Sequence, residues 1–313
     1  KLKVKTDNIL IAFLLFTTIL NLINSSYKII KTSLTIALYI SIHNAMVKLI
    51  TYAKKSKCKK IFSILFVIKF LWIFSNPIAV SHANEIYAAV ATNFHNPFKS
   101  IAKEFEKISG HKVVIISGST GKLYAQIING APFDIFLSAD ELRPQLLIQS
   151  GIAISGTQYS YAIGKITLWS PKLNIISDSL KSIFLVKKFS HIAMANPTTA
   201  PYGRAALQTL KKLGLLNKLK PLIVQGENIG QAFHFVFSNN AELGFVALSQ
   251  VLDPNNNLKG NRIDIPSEYY DPIKQDIVVL TRAKNNKGAM DLWNFLKSGP
   301  AKEVIKKYGY ELS

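Results

Sequence analysis

Cysteine and histidine are scarce in this chain, and their scarcity removes several kinds of chemistry. Cys58 is the only cysteine in 313 residues, so a disulfide framework and a cysteine-bound zinc site are both excluded. The six histidines stand apart, without the spacing that metal ligands show. We therefore expect no metal to be bound directly as a cation.

Acidic residues are almost missing from residues 1–83. This stretch holds 12 of the 38 Lys and Arg residues but a single acid, Asp7, whereas the remaining residues carry 26 bases and 17 acids. The formal net charge of +20 therefore overstates the basicity of the rest of the chain. Its lysines are scattered and no aromatic platform accompanies them, so nucleic acid is not an expected partner. A mild attraction for small anions is what the charge implies.

Methionine is absent until Met46, where the features of an export signal begin. A lysine-rich region is followed by an apolar run over residues 61–74 and by a small-x-small motif that closes at Ala83. The pattern predicts a signal peptide over residues 46–83, cleaved after Ala83, and hence a periplasmic protein. A membrane anchor is the alternative, but the run is short for a span. The single cysteine precedes the apolar run, so no lipid anchor is expected.

Residues 1–45 contain two apolar runs, over residues 8–24 and 29–42, that could form membrane helices. A complete export signal nevertheless starts at Met46. We therefore interpret residues 1–45 as a non-native upstream extension of the reading frame or an apolar leader.

From residue 84 onwards, short apolar strands alternate with helices, which is the pattern of an α/β fold. The alternation occurs twice, and the chain crosses between the two halves near residues 161–170. Residues 84–163 together with 278–313 are predicted to form the first lobe, and residues 164–277 the second. Each lobe is expected to be a mixed sheet flanked by helices, with a ligand cleft between the lobes.

Four loops lead from a predicted strand into a predicted helix, two in each lobe: residues 92–96, 117–122, 197–202 and 226–230. Ligands of open α/β sheets bind at the carboxyl ends of strands, where these loops lie. A helix start offers free backbone N–H groups and the positive end of the helix dipole. Four such helix starts around one cleft predict a binding site for a small anion.

Enzymatic chemistry has little support in the sequence. Residues 118–123 resemble half of a phosphate-binding P-loop, but the earlier glycine is missing and Leu123 stands where Ser or Thr is required. Asp134 and Asp140 could serve as an acid and a base, although an aspartate after a strand is more often a helix cap. No Gly-x-Ser-x-Gly elbow is present in its context. We expect neither an enzyme nor a cofactor.

Neutral donors are plentiful at the four loops. Hydroxyl and amide groups are supplied by Thr92, Asn93, Ser119, Thr120 and Tyr202. Each of these residues taken alone is more often a cap or a turn residue, but their common placement favours anion binding. A buried dianion without a basic partner requires helix ends and many hydrogen bonds in place of its water. Lys122 lies next to the site and is expected to point to solvent.

Several segments, in order along the chain, resemble one family over nearly the whole length from Asn84. They are Ala88-Ala89-Val90-Ala91-Thr92-Asn93-Phe94, Ser117-Gly118-Ser119-Thr120-Gly121-Lys122-Leu123-Tyr124-Ala125-Gln126-Ile127, Gly130-Ala131-Pro132-Phe133-Asp134-Ile135-Phe136-Leu137-Ser138-Ala139-Asp140, and the ending Tyr308-Gly309-Tyr310. Together they resemble the periplasmic molybdate-binding proteins of ABC importers. The resemblance implies a monomeric class II binding protein that closes on molybdate or tungstate and delivers it to ABC permease subunits in the membrane.

The resemblance also implies contacts for the anion. In the first lobe it points to Thr92 with Asn93, and to a hydroxyl at Thr120 with Ser119 beside it. In the second lobe it points to Tyr202 and to the backbone N–H of Ile229.

One position departs from part of the family. Some members have a tyrosine where this chain has Ala247, and Tyr202 is expected to replace that contact. One alternative is a protein of the same fold that binds another oxyanion, such as sulfate or phosphate, or a small organic acid. A less favoured alternative is an enzyme on this fold.

Overall fold

A computed structural model describes residues 84–172, 179–186, 189–256 and 258–313. The predicted signal peptide at 46–83 and the predicted extension at 1–45 lie outside the described residues. Within the ranges that are described, no helix is long and apolar enough to cross a membrane.

The first lobe is built on a five-stranded mixed sheet. Its strands are β1 (Glu85–Ala91), β2 (Lys112–Gly118), β3 (Ile135–Leu137), β4 (Tyr159–Gly164) and β10 (Ile273–Val279). They lie in the order β2-β1-β3-β10-β4. Strand β1 pairs in parallel with β2 and β3, whereas β10 runs antiparallel to both β3 and β4.

The second lobe repeats this arrangement. Its strands are β5 (Ile166–Ser170), β6 (Ile192–Ala195), β7 (Ile223–Gly226), β8 (Leu243–Ala247) and β9 (Asn261–Asp264), and their order is β7-β6-β8-β5-β9. Strand β6 is parallel to β7 and β8, and β5 is antiparallel to β8 and β9. The two sheets thus have the same sequence of parallel and antiparallel pairs. Two similar α/β lobes with mixed sheets confirm the predicted fold class.

Helices cover the sheets. They are α1 (His95–Ser109), α2 (Thr120–Ile128), α3 (Leu142–Gln149), α4 (Leu180–Val186), α5 (Pro201–Lys212), α6 (Leu216–Leu219), α7 (Ile229–Phe237), α8 (Leu248–Val251), α9 (Lys287–Phe295) and α10 (Gly299–Lys307). Short 3-10 turns occur at Thr92–Phe94, Lys220–Leu222, Ser267–Tyr269 and Thr281–Asn285. Helices α2, α5 and α7 begin after the ends of β2, β6 and β7, and the 3-10 turn Thr92–Phe94 begins after the end of β1.

Helix α1 shows how the sequence specifies these elements. Its buried residues include Phe98, Ile101, Ala102 and Phe105, which recur every three or four positions and so form one apolar face. Gly110 ends the helix with φ of 73°, a left-handed conformation that glycine adopts without a Cβ penalty. The buried face packs into the first-lobe core, and the helix start is thereby fixed at the end of β1.

The two crossings between lobes differ in how well the sequence predicts them. Only Lys165 separates β4 of the first sheet from β5 of the second, close to the predicted boundary. The return crossing lies earlier than predicted, because β10 already pairs with β4 from Ile273 onwards. Residues 273–277, assigned to the second lobe from the sequence, therefore belong to the first sheet. The polar side chains at the start of β10 hide the strand, since apolar residues become continuous only at Ile277.

Candidate functional site

The four predicted loops lie at the carboxyl ends of parallel strands. The ends of β1 and β2 lie side by side in the first sheet, because Ala91 is paired with Gly118. The ends of β6 and β7 are matched in the second sheet, where Ala195 is paired with Gly226. A helix or a 3-10 turn begins within three residues of the ends of β1, β2 and β7. After β6, the helix begins at Pro201. Each lobe therefore presents two helix starts at one edge of its sheet.

Loops from opposite lobes touch each other. The backbone N–H of Gly121, in the first turn of α2, donates a hydrogen bond of 2.9 Å to the carbonyl oxygen of Thr199 in the second lobe. Gly230, in the first turn of α7, packs against the methyl group of Thr92 so closely that a Cβ on the glycine would overlap it. The helix starts of the two lobes thus meet at these two contacts.

Two hydroxyl groups of the first lobe are buried without a partner. The Oγ of Ser119 and the Oγ1 of Thr92 are each inaccessible to solvent, and neither has a hydrogen-bond partner among the described residues. Ser119 is the N-cap of α2, yet its side chain makes no capping bond. A serine at this position normally accepts a hydrogen bond from the helix. Since buried polar groups are almost always paired, both hydroxyls are available to a ligand.

Thr120 is engaged differently from Ser119. Its Oγ1 accepts a hydrogen bond of 3.0 Å from the backbone N–H of Ala139 at the end of β3. The sequence predicts the second-loop hydroxyl at Thr120 with Ser119 beside it. In the structure the Ser119 hydroxyl has no partner among the described residues, whereas that of Thr120 accepts one hydrogen bond and keeps its own O–H to donate. Thr120 is also the first residue of α2, so its backbone N–H has no acceptor within the helix.

The side chain of Asn93 is hydrogen-bonded to other protein side chains. Its Nδ2 donates to Gln275 Oε1 at 2.7 Å and to the Tyr310 hydroxyl at 3.0 Å. The backbone carbonyl oxygen of Asn93 accepts hydrogen bonds from the Tyr310 hydroxyl and from Ser249 Oγ, which lies in the second lobe. The amide that the sequence offered as a ligand donor therefore has protein partners, and the backbone N–H of Asn93 at the start of the 3-10 turn is the group left for an anion.

Tyr202 has a buried side chain whose hydroxyl already accepts one hydrogen bond from the protein. The ring is 1% exposed, and the hydroxyl accepts a hydrogen bond of 3.0 Å from Gln275 Nε2. Burial raises the pKa of Tyr202 well above its ordinary value, so the phenol stays neutral. Tyr202 is the second residue of α5, and its backbone N–H lacks an acceptor within that helix.

Ile229 begins α7, with Asn228 as its N-cap. The Asn228 side chain accepts a hydrogen bond of 3.0 Å from the backbone N–H of Gln231, and its carbonyl oxygen accepts from Ala232. The N–H groups of Ile229 and Gly230 precede these capped positions and have no acceptor inside the helix. The Ile229 N–H, predicted as a donor to the anion, thus has no acceptor within its own helix. Ala247 ends β8 and contributes no side-chain donor.

Charged side chains near the loops are paired with each other. Lys122 forms an ion pair with Glu227 across the cleft, and both side chains are more than half exposed. Arg143 pairs with Asp140, which also caps α3 by accepting from the Arg143 backbone N–H. Asp134 accepts from a strand N–H and pairs with Arg282. Both aspartates therefore have structural partners, which leaves no acid–base pair between them.

The described part of the chain contains no group of three or more His, Cys, Asp or Glu side chains that could hold a metal ion. An open cavity of about 330 Å³ lies between the lobes and is lined by charges of both signs, among them Asp140, Arg204 and Lys274. None of the predicted ligand residues lines it. The unpartnered hydroxyls thus mark a different location from the cavity.

Some residues of the site were missed from the sequence. Gln275 is fully buried in β10, where it links Asn93 with Tyr202, and Ser249 supports the Asn93 carbonyl from the second lobe. Neither lies in a motif, and a glutamine in a strand carries no signal of such a role. Thr199 has a third buried, unpartnered hydroxyl, and a Thr-Thr pair before a helix is a weak signal of a donor.

Two α/β lobes of equal strand order, joined by two crossings and enclosing unpaired donors, define a two-lobed solute-binding protein. The sequence profile described as "Bacterial extracellular solute-binding protein" matches residues 86–311, and the chain belongs to this family. It is a family of binding proteins, in agreement with the prediction that the protein is not an enzyme.

Relatives of known name share most of the chain. The molybdate-binding protein ModA of Azotobacter vinelandii is 47% identical over 232 residues, which cover 74% of this chain and 92% of the relative. The ModA of Rhodobacter capsulatus is 42% identical over 228 residues, covering 73% and 88% of the two chains. The solved periplasmic molybdate-binding protein of A. vinelandii superposes with a TM-score of 0.70 at 40% identity, covering 73% of this chain and 99% of that one.

Proposed function

We propose that this protein captures molybdate outside the cytoplasm and delivers it to the membrane subunits of an ABC importer. The observation that carries the proposal is the pair of buried, unpartnered hydroxyls of Thr92 and Ser119 at two adjacent helix starts. The molybdate-binding relatives support the identity of the ligand.

The donor set suits a tetrahedral oxyanion. Molybdate offers only oxygen acceptors, so its site must offer donors in several directions. In our proposal these donors are the hydroxyls of Thr92 and Ser119 and the backbone N–H groups of Asn93, Thr120, Tyr202 and Ile229. The backbone donors belong to four helix or turn starts, whose dipoles favour negative charge. Such hydrogen bonds to an ionised group are stronger than neutral ones and offset the cost of burying the dianion.

The same donor set discriminates among anions. Phosphate near neutral pH carries a proton that needs an acceptor, and a site built from donors leaves that proton unpaired. An organic carboxylate is commonly held by a free arginine, whereas Arg143 is paired with Asp140. Sulfate has the same charge and shape as molybdate but is smaller, so the size of the closed cavity must separate the two. Tungstate matches molybdate in shape and nearly in size, and we propose that it binds as well.

Titration calorimetry of the purified protein with molybdate, tungstate, sulfate and phosphate tests the ligand. We expect tight binding of molybdate and tungstate at one site, and binding of sulfate and phosphate weaker by at least about a hundredfold, the scale of one or two lost hydrogen bonds to a charged group. Absence of binding to both molybdate and tungstate would refute the proposal. Tight binding of phosphate would contradict the donor-only description of the site.

Export is part of the proposal and has its own test. We propose that residues 46–83 act as the signal peptide, with cleavage after Ala83. Sequencing the N-terminus of the exported protein should then give Asn84 as the first residue. A mature protein that began before Met46 would show that residues 1–45 are native and that the leader is interpreted wrongly.

A further inference from the structure

We infer that Thr199 contributes a hydroxyl from the second lobe to the oxyanion, as a third side-chain donor beside Thr92 and Ser119. The inference rests on the proposed function, since it adds a residue to the same site. The second lobe would then recognise the anion through a side chain as well as through backbone N–H groups.

The first observation is the state of the Thr199 hydroxyl. Its Oγ1 is inaccessible to solvent and has no hydrogen-bond partner in the described part of the chain. Five buried side-chain atoms are in this state there, and three of them are the hydroxyl oxygens of Thr92, Ser119 and Thr199. A buried, unpaired hydroxyl costs about 1–3 kcal/mol, so its presence needs an explanation.

The second observation is where Thr199 lies. Its carbonyl oxygen accepts the hydrogen bond from Gly121, and its Cα would be 3.0 Å from a Cβ at that glycine. Gly121 is in the first turn of α2, two residues after Ser119. Thr199 also stands three residues before Tyr202 and directly precedes the N-cap of α5. It therefore lies between the starts of α2 and α5, one from each lobe.

The third observation is that local structure gives the hydroxyl no other task. The N-cap of α5 is Ala200, and no side chain caps this helix. The turn before α5 is held by Asn196, whose Oδ1 accepts from Thr198 and whose carbonyl accepts from Thr199 and Ala200. The side chain of Thr199 is thus neither a cap nor a turn-former. A ligand oxygen is the partner that its position allows.

The position couples recognition to closure of the lobes. The backbone of Thr199 is tied to Gly121 only when the lobes meet, so the hydroxyl joins Ser119 at the anion only in the closed form. A ligand that accepts from both hydroxyls would bind the closed form more tightly than the open form. This difference in affinity is what allows a ligand to drive closure.

The test compares Thr199→Val, which keeps the shape and removes the hydroxyl, with Thr199→Ser, which keeps the hydroxyl. Thr198→Val is the matched control, because Thr198 is the adjacent threonine and is exposed. Molybdate affinity is measured by calorimetry and the ligand-free unfolding midpoint by thermal denaturation. We expect Thr199→Val to bind molybdate at least about tenfold more weakly, Thr199→Ser to stay within about threefold of wild type, and Thr198→Val to be unchanged.

The outcomes separate this inference from the proposed function. Wild-type protein that binds molybdate while Thr199→Val binds it equally well would overturn the inference and leave the proposed function standing. Wild-type protein that binds neither molybdate nor tungstate would overturn both. If Thr199→Val does not fold, a crystal structure of the wild-type molybdate complex decides: the inference requires Thr199 Oγ1 within hydrogen-bond distance, about 3 Å, of an anion oxygen, and a longer separation overturns it.

Discussion

Gly230 in the first turn of α7 packs directly on the methyl group of Thr92 at the end of β1, and a Cβ on the glycine would overlap that methyl. The contact joins the two lobes at the proposed anion site. It leaves room for no side chain, although position 230 is helical and tolerates other residues by its backbone conformation. The approach of the two lobes therefore sets the tightest limit at this position, and the capping Oδ1 of Asn228, 3.0 Å from such a Cβ, sets the next.

Gly230→Ala should consequently weaken ligand binding without harming the fold. The added methyl forces the lobes apart, and overpacking of this kind costs about 1–3 kcal/mol, which is about tenfold in affinity for each 1.4 kcal/mol. The ligand-free protein should be as stable as wild type or more so, because alanine is favoured over glycine in a helix by about 1 kcal/mol. Calorimetry with molybdate and thermal unfolding without it measure the two effects.

Gly299→Ala is the matched control for this variant. Gly299 begins α10, and a Cβ there would contact nothing within 4 Å. It should leave affinity unchanged. Equal affinity of Gly230→Ala and wild type would mean that the ligand-bound lobes do not approach each other at Thr92 as they do here.

Ser119 and Thr120 should separate binding from stability. Removing the Ser119 hydroxyl takes away a donor to the anion, so Ser119→Ala should bind molybdate about ten- to a hundredfold more weakly. Its ligand-free unfolding midpoint should be no lower than that of wild type, because the hydroxyl removed is buried without a partner among the described residues. Thr120→Val leaves the buried N–H of Ala139 without its acceptor and should lower the free energy of unfolding by about 1–3 kcal/mol. Denaturant titration and calorimetry on both variants test the assignment. The reverse pattern would return the ligand role to Thr120.

The general fold could be predicted because its signals are local. Strand β1 is almost continuously apolar, and Pro97 and Gly110 mark the two ends of α1 in the sequence. Strand β9 was missed because its residues, Asn261–Asp264, are polar and mostly exposed at the edge of the second sheet. Helix α8 has only four residues, too few for a periodic pattern to stand out.

The site could be predicted only to the level of its loops. Thr92 and Ser119 follow apolar strands and enter helices, which is visible in the sequence. Which atoms of Asn93 and Tyr202 face the ligand depends on Gln275, and the partner of Asn93 lies 182 residues further along the chain. Contacts over such separations are decided by the packing of the two lobes. Sequence patterns reflect residues that are near each other in the chain, so they do not predict these contacts.

The cross-lobe ion pair of Lys122 and Glu227 should contribute little to binding. Both side chains are more than half exposed, and exposed pairs are worth about 0–1 kcal/mol. Lys122→Ala should therefore weaken molybdate binding by less than about fivefold, and Glu227→Gln by a similar factor. The effect of either variant should shrink as salt is raised, because exposed charges are screened. Calorimetry at low and high ionic strength checks this.

A much larger effect at Lys122 alone would contradict that interpretation. If the Lys122 ammonium reached the anion, its removal would cost more than about tenfold, and Glu227→Gln, which frees the ammonium, would strengthen binding. The two variants thus distinguish a surface pair from a ligand contact.

His95 should give the protein a specific sensitivity to acid. Its Nδ1 is buried without a partner among the described residues, and burial, with a smaller contribution from Lys99, lowers the pKa of His95 below its ordinary 6.5. Above that value the ring is neutral in both folded and unfolded chains, and stability does not depend on it. As the pH falls below 6.5, the unfolded chain binds the proton first, so the free energy of unfolding decreases until the folded ring is also protonated.

His95→Gln should remove this component. Denaturant unfolding at a series of pH values from about 8 to 5, which spans the ordinary histidine pKa, should show a steeper loss of stability in wild type than in the variant. His234→Gln serves as the control for the substitution itself, because His234 is exposed on α7. Identical slopes for wild type and His95→Gln would mean that the imidazole beside the Thr92 turn is protonated as readily in the folded chain as in the unfolded one.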